Sequence, residues 1–306
     1  MIAFGCSLTA PGLYELRAGP GIERTVEPDS AVFAIQAAGP IFRSYNLIMD
    51  KAARFPDLEA LVLVHQDAEL ADPRFCSKLR DALADAEVGV VGCVGAVGAR
   101  TIAWWEGEVS GGSAVCRYGE VGGGEFPAVA FGGEGTPREV RTGDVDTLEG
   151  FLLALSPWAV RSLRFDESLG FLYGYDFDLC MQVRAAGRRV VTADFEVVHH
   201  HSLDLVTENE PWIAAHIRTA EKWGASMRQA EQREGERDWR QAARRAEAEA
   251  AAARLLVMSK EMQREAQEKE FARRLQSVTG TFSWLITEPL RRVNSWRRAL
   301  APRTPS

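Results

Sequence analysis

Short apolar runs alternate with amphipathic segments over the first two thirds of the chain. Apolar and β-branched runs predict strands at residues 2–8, 31–37, 61–64, 88–94 and 145–155. Apolar residues at helical spacing predict helices at residues 44–55, 75–86, 156–163, 176–186 and 211–223. Strands that alternate with helices predict an α/β fold, with a mainly parallel sheet that helices cover on both faces.

The composition changes sharply after Gly224. Residues 225–276 are rich in Ala, Glu, Arg and Gln and predict a long charged helix. A single solvated helix and a coiled coil that joins two copies of the chain are both open, because the apolar positions keep no heptad. The sequence therefore divides into a globular domain at 1–224, a long helix at 225–276 and a basic amphipathic tail at 277–306.

The charge is distributed unevenly between these parts. Residues 225–306 hold 17 Lys and Arg against 11 Asp and Glu, which leaves residues 1–224 with a net charge of −13 when the whole chain carries −7. An acidic domain argues against nucleic acid as a partner, since phosphate binding needs clustered cations. It suits a site that holds a divalent cation.

The cysteines and the apolar runs bear on the compartment. Five cysteines are irregularly spaced without a Cys-x-x-Cys pair, which predicts neither a disulfide framework nor a zinc knuckle and favours a reducing cytoplasm. The N-terminus does not resemble a signal peptide, and no apolar run approaches the roughly 18 to 20 residues of a membrane span. We therefore expect a cytoplasmic protein.

The tail leaves two interpretations open. Residues 288–306 hold five Arg and one Glu beside aromatic and aliphatic residues. They would suit shallow insertion into an anionic membrane surface, which would place the protein peripherally at the inner face of the membrane. Docking of the tail on a partner or on the globular domain is the alternative. Co-sedimentation with anionic vesicles, with and without the tail, would separate the two.

Candidate chemistry is concentrated at the ends of predicted strands. Asp67 follows a buried strand, the triplet His199 to His201 ends another, and Asp176 opens a helix. Ligands of α/β sheets bind at the carboxyl ends of the strands, so these groups could share one site. A carboxylate and an imidazole bind Mn²⁺ or Mg²⁺, and a separate carboxylate could deprotonate a hydroxyl group. Transfer from a nucleoside-diphosphate donor to an alcohol fits this set, and nucleotidyl transfer stays open.

Four motifs in order carry a family resemblance. LVLVHQDAEL, DTLEGFLLAL, FDESLGFLYGYDFDLCMQVRAAGRRV and VVHHHS resemble family-2-type glycosyltransferases of the GT-A fold, and among them the StrF-like branch, over residues 1–224. The resemblance implies a GT-A-type sheet and a metal-dependent, inverting transferase. The implied donor is a UDP- or dTDP-linked sugar, and the implied acceptor is the hydroxyl group of a glycan or of a lipid-linked glycan in cell-surface polysaccharide or glycoconjugate biosynthesis.

The resemblance also implies roles for individual residues. Asp67 would carry the metal and the diphosphate, and His65 stands where the family usually has the first acid of Asp-x-Asp. Asp176 would be the base that activates the acceptor, and Asp178 would cap the helix. His201 would complete the metal site, whereas we expect packing roles for His199 and His200. Further candidate donor contacts are Gln36, Ser44 and Asn46.

Two other functions remain as alternatives. A nucleotidyltransferase would usually carry a basic, glycine-rich segment near the first strand, which MIAFGCSLTAPG lacks. A catalytically degenerate domain could act as an assembly protein through the long helix. Release of a nucleoside diphosphate, release of pyrophosphate, or no turnover would distinguish the three.

Overall fold

The computed structural model describes residues 1–37, 39–118, 124–127, 142–201, 209–224 and 237–279. The strands are β1 (Ile2–Leu8), β2 (Ala31–Gln36), β3 (Ala60–Val64), β4 (Ala68–Leu70), β5 (Val88–Gly92), β6 (Val94–Val97), β7 (Glu108–Gly111), β8 (Val115–Tyr118), β9 (Gly124–Pro127), β10 (Gly143–Asp144), β11 (Thr147–Leu148), β12 (Leu152–Leu155), β13 (Arg189–Thr192) and β14 (Val197–His201). The α-helices are α1 (Pro11–Leu16), α2 (Ala18–Thr25), α3 (Ile41–Ala52), α4 (Phe75–Ala82), α5 (Pro157–Ser162), α6 (Tyr175–Ala185), α7 (Asn209–Trp223) and α8 (Arg237–Thr279).

A seven-stranded sheet in the order β10-β13-β5-β12-β3-β1-β2 forms the centre. β1 pairs in parallel with β2 and β3, and β5 pairs in parallel with β13. β12 runs antiparallel between β3 and β5, and β10 runs antiparallel to β13. Five of the seven strands therefore run in one direction, and the predicted α/β class with a mainly parallel sheet is confirmed.

Helices cover both faces of this sheet. Phe4 and Val62 point into one core with α2 and α4, whereas Ala3 and Leu61 point into the other with α3, α5 and α6. Because both faces are buried, the central strands read as continuous apolar runs rather than as an alternation of apolar and polar residues. This is why β1 and β3 could be predicted from the sequence.

Two predicted strands are each divided in the structure. The run at 88–94 becomes β5 in the central sheet and β6 in a three-stranded sheet with β11 and β7. The run at 145–155 likewise becomes β11 and β12, because β11 pairs with β6 and β12 pairs with β3. The chain between β11 and β12, at Glu149 to Phe151, therefore lies at the edge of the central sheet where β3 ends.

A third sheet, in the order β4-β14-β8-β9, stands beside the end of β3. β14 runs antiparallel to β4 and parallel to β8. Since β4 begins immediately after Asp67, this pairing brings the histidines of β14 alongside that residue.

The long helix is partly buried, which corrects the expectation of a solvated helix. The α8 residues Ala248, Ala251 and Ala252 are at most 3% exposed, and with Leu255 they pack in one apolar cluster with α7. Further along α8, Phe271 is 69% exposed. The first half of α8 thus belongs to the body of the protein. Residues 225–236 and the predicted tail from residue 280 onward lie outside the described residues.

Among the helices of residues 1–37, 39–118, 142–201, 209–224 and 237–279, none has the length and apolar character that crossing a bilayer requires.

Candidate active site

The segment His65-Gln66-Asp67 forms a tight turn between β3 and β4. The His65 N–H donates to the Phe151 carbonyl at 2.9 Å, and the Ala68 N–H donates to the His65 carbonyl at 3.1 Å. The Gln66 side-chain oxygen accepts hydrogen bonds from the N–H groups of Thr9 and Ala10, at 3.0 and 2.9 Å. Gln66 thus ties the turn to the loop after β1.

The structure brings His199 to Asp67. The His199 Nε2 atom lies 3.5 Å from Asp67 Oδ1, and the His65 Nδ1 atom lies 3.9 Å from the same oxygen. Ligand atoms of the three side chains all lie within 4.8 Å of one another. His199, for which we expected a packing role, is indeed buried, and its ring also lies beside the Asp67 carboxylate. Alternation along β14 explains its position, because successive residues of a strand face opposite sides.

The other two histidines of the triplet have different positions. His200 faces away from Asp67, and its Nε2 atom lies 3.2 Å from Glu69 Oε2. His201 is the last residue of β14, where its backbone pairs with Tyr118 of β8. The side chain of His201 lies outside the described part of the structure, so its role at the metal site stays a prediction.

The surroundings of His199 favour a positive charge. Its ring stacks on Phe151 with centroids 4.6 Å apart. Burial opposes protonation, but contact with Asp67, a hydrogen bond with Cys116 and the nearby charge of Glu149 together raise the pKa of His199 well above its usual range. The acids around His199 therefore favour positive charge at this point of the site.

Asp176 lies in the first turn of α6, after Gly174 in the left-handed conformation with φ of 83°. Its Oδ1 atom accepts the Phe177 N–H at 2.8 Å. Burial, reinforced by the charge of Glu149, raises the pKa of Asp176 to about 7. A carboxyl group that titrates near neutral pH can take up a proton during a reaction and release it afterwards, as a general base requires.

Gly150 joins the Asp176 region to the cluster formed by His65, Asp67 and His199. Its N–H hydrogen bonds to Asp176, and its carbonyl accepts the Tyr175 hydroxyl at 3.0 Å. The same hydroxyl lies 2.6 Å from His65 Nε2. A Cβ atom at position 150 would lie 2.2 Å from the Tyr175 oxygen, so this close approach requires glycine. Sequence reasoning gave no role to Glu149, Gly150 or the Tyr175 hydroxyl.

The carboxylate of Asp178 is structural, but it does not cap α6 as predicted. The residue before α6 is Gly174, and α6 has no side-chain cap. Asp178 is fully buried and accepts hydrogen bonds from Trp223 Nε1 and Lys222 Nζ, both at 2.7 Å, and from Gln182 Nε2, also at 2.7 Å. This acid therefore fastens α6 to the end of α7.

Of the two acids that contact Lys222, Asp178 should contribute more to stability than Asp166. Asp178→Ala leaves the partly buried indole N–H of Trp223 without its acceptor, and we expect it to lower the free energy of unfolding by about 1–3 kcal/mol. Denaturant unfolding measures this change. Asp166→Ala is the matched control, because Asp166 contacts the same Lys222 at 2.7 Å from a more exposed position. This substitution should lower the free energy of unfolding by less. Equal losses would contradict the anchoring role of Asp178.

The charge of Glu149 should influence how the activity depends on pH, because it raises the pKa of Asp176. If Asp176 must be ionised to accept a proton, kcat/KM should fall as the pH drops below the pKa of that residue. Glu149→Gln removes a negative charge that raises the Asp176 pKa, so the acid limb should move to lower pH. Profiles of kcat/KM against pH for the wild type and for Glu149→Gln test this. If the acid limb lies at the same pH in both, the pKa of Asp176 does not determine it.

Besides His65 and Asp67, the three further predicted donor contacts lie on β2 and α3. Gln36 is exposed at the carboxyl end of β2, paired with Leu8. Ser44 is fully buried in α3, and Asn46 exchanges hydrogen bonds with the backbone of Phe165, both at 2.9 Å. Burial and these bonds give Ser44 and Asn46 evident roles in packing, and donor contact by all three residues stays a prediction.

Comparison with known proteins identifies the family. A model described as a glycosyltransferase-like family matches residues 20–233. The streptomycin biosynthesis protein StrF of Streptomyces griseus is 30% identical over 204 residues, which cover 66% of this chain and 67% of that protein. The chain therefore belongs to this glycosyltransferase-like family, and the resemblance read from the four motifs is confirmed.

Solved structures show more distant similarity. The mannosyltransferase PcManGT of Pyrobaculum calidifontis, solved with GDP-Man and Mn²⁺, is 12% identical, with a TM-score of 0.46 over 96% of this chain and 80% of that one. GalNAc-T7, solved with UDP, GalNAc and Mn²⁺, is 11% identical, with a TM-score of 0.48 over 73% of this chain and 48% of that one.

Proposed function

We propose that this glycosyltransferase is metal-assisted and inverting, and that it moves a sugar from a nucleoside-diphosphate donor to a hydroxyl acceptor. One arrangement carries the proposal: a cluster of two imidazoles and a carboxylate lies at the same end of the sheet as the separate carboxyl group of Asp176, whose pKa is raised to about 7 by burial and by the charge of Glu149. The first set has the chemistry of a cation site, and the second that of a base.

The residues present fit a divalent metal ion. Asp67 would supply a carboxylate oxygen, and His199 and His65 would each supply an imidazole nitrogen. We expected Mn²⁺ or Mg²⁺ from the sequence, and His201 would join this set if its ring faces it. When bound, the ion would act as a Lewis acid that stabilises the negative charge of the departing diphosphate.

Asp176 takes the proton in this scheme. The acceptor hydroxyl oxygen forms a bond to the anomeric carbon while the bond from that carbon to the diphosphate oxygen breaks. The hydroxyl proton passes to the Asp176 carboxylate, and the nucleoside diphosphate leaves with the bonding electrons. A single displacement with one base inverts the anomeric configuration, and the double displacement of a retaining enzyme would need a second carboxylate as nucleophile.

The identities of donor and acceptor belong to the same proposal. We favour UDP- or dTDP-linked donors, and a glycan or lipid-linked glycan as acceptor in cell-surface polysaccharide or glycoconjugate synthesis. Peripheral membrane contact through residues 277–306 would bring the enzyme to a lipid-linked acceptor, and contact between two copies through residues 225–276 remains a prediction.

A panel of nucleotide sugars with Mn²⁺ tests the proposal. We expect release of a nucleoside diphosphate from one UDP- or dTDP-sugar, and inversion at the anomeric carbon of the product. Release of pyrophosphate would instead identify a nucleotidyltransferase. Absence of turnover and of nucleotide binding across the panel would favour an assembly role.

A further inference from the structure

We propose that the Tyr175 hydroxyl is a positioning group that holds His65 as an Nδ1 metal ligand, and that the resulting pair of imidazoles makes the site prefer divalent transition ions to Mg²⁺. The inference rests on the proposed metal site. It gives a role to a tyrosine to which the sequence assigned no chemistry, and it narrows the choice between Mn²⁺ and Mg²⁺.

The hydrogen bonds of Tyr175 determine which nitrogen of His65 carries the proton. A carbonyl oxygen can only accept, so the hydroxyl proton of Tyr175 is directed at Gly150, 3.0 Å away. The hydroxyl oxygen can then only accept from His65 Nε2, at 2.6 Å. The arrangement that satisfies both contacts has the His65 proton on Nε2.

Nδ1 of the neutral ring then presents a lone pair on the side of Asp67. The Nδ1 atom lies 3.9 Å from Asp67 Oδ1. This distance is too long for a direct hydrogen bond, but it would allow both atoms to contact one metal ion. A metal-binding histidine commonly donates its other N–H to an oxygen of the protein, which sets its tautomer and its orientation. The Tyr175 oxygen has that position here.

The tyrosine itself has little freedom to move. It is 4% exposed, and its ring packs edge-on against Phe42 and Tyr45, with centroids 6.1 and 5.6 Å apart. Gly150 leaves space for the hydroxyl where a Cβ atom would lie 2.2 Å from it.

The preference among metals follows from the donor atoms. Mg²⁺ takes oxygen ligands almost entirely, whereas divalent transition ions accept imidazole nitrogen readily. His65, Asp67 and His199 offer two nitrogens and one carboxylate. A carboxylate in place of His65 would offer Mg²⁺ one more oxygen, so the imidazole at this position is the group that shifts the preference.

Nitrogen NMR of the full-length protein, free of metal and at mildly alkaline pH, tests the tautomer. We expect the His65 proton on Nε2 in the wild type, and a shift towards a mixture of tautomers in Tyr175→Phe. Titration with Mn²⁺ alone, followed by its electron paramagnetic resonance signal, should show affinity about 10- to 100-fold weaker in Tyr175→Phe. A proton on Nδ1 in the wild type, or unchanged Mn²⁺ affinity in the variant, would overturn the inference.

Tyr45→Phe is the matched control, since it removes a hydroxyl from a neighbouring buried ring that packs against Tyr175. It should leave both the tautomer and the Mn²⁺ affinity unchanged. The tautomer in the wild type is measured without any variant, so misfolding of Tyr175→Phe would not remove the test. A wild type that binds Mn²⁺ with the proton on Nε2, yet transfers no sugar, would refute the proposed activity and support this inference.

His65→Asp tests the metal preference directly. Competition between Mg²⁺ and Mn²⁺ should show the ratio of Mg²⁺ to Mn²⁺ affinity rising on the order of tenfold in this variant, because an oxygen ligand replaces a nitrogen ligand. An unchanged ratio would mean that His65 does not contact the ion, and it would refute the proposed preference for transition ions.

Discussion

Asp176→Asn should lower the turnover of sugar transfer by about 100-fold or more, the usual scale for the loss of a general base. The substitution keeps the size of the side chain but removes its ability to accept a proton at neutral pH. Nucleotide binding should stay nearly the same, because Asp176 is not one of the three residues whose ligand atoms cluster. Steady-state kinetics and equilibrium binding of the nucleoside diphosphate measure the two effects separately.

An exposed acid of α3 provides the control for this prediction. Asp50→Asn removes an exposed carboxylate that pairs with Arg164 at 2.8 Å, and it should leave turnover unchanged. Near wild-type turnover in Asp176→Asn would show that Asp176 is not the base. An equal loss in both variants would point to a general effect of charge rather than to proton transfer.

Asp67→Ala should abolish most of the metal-dependent part of nucleotide binding. Loss of a partner that only orients a metal ligand typically costs 10- to 100-fold in affinity, and loss of the one carboxylate in the cluster should cost at least about 100-fold. The measurement is binding of the nucleoside diphosphate with and without Mn²⁺. If the variant keeps the Mn²⁺ dependence of the wild type, Asp67 does not hold the ion.

The three histidines of β14 give this test an internal comparison. His199→Ala should resemble Asp67→Ala, since His199 lies 3.5 Å from that carboxylate. His200→Ala should bind as the wild type does, because His200 faces Glu69. His201→Ala should also resemble Asp67→Ala if the role implied by the family resemblance applies, and wild-type binding there would leave His199 as the contributing residue of the triplet.

The sequence predicted the central part of the fold because both faces of the sheet are buried. Strands such as β1 and β3 appear as uninterrupted apolar runs, and each ends next to polar residues. The helix α4 was predicted to reach residue 86 but ends at Ala82. Asp85 then forms a turn into β5, where its side chain accepts the Glu87 N–H at 2.9 Å.

The candidate site was predicted in part, for a related reason. Asp67 follows a recognisable strand and Asp176 opens a recognisable helix, so the sequence could indicate that they share one site. The choice among His199, His200 and His201 depends on the pairing of β14 with β4, and no pattern within five residues shows that register. Glu149 was missed because it enters the site only when β12 runs antiparallel to β3, and strand direction is not visible in an apolar run.

The arrangement of α8 could not be predicted from its composition. Its buried stripe consists largely of alanines, which also favour helix formation on exposed surfaces. Arg254 pairs with Glu106 of the globular domain, and this contact joins residues 148 positions apart in the sequence. Such long-range contacts follow from the tertiary fold and have no local signal.

The location of the metal ion tests the central claim most directly. Crystals of the protein grown with Mn²⁺ and a nucleoside diphosphate, measured at the manganese absorption edge, should show one anomalous peak in contact with Asp67 and His199. The diphosphate should contact the same ion, with Asp176 facing the open side of the site. An anomalous peak away from Asp67, or nucleotide bound at this edge with no ion beside it, would contradict the account.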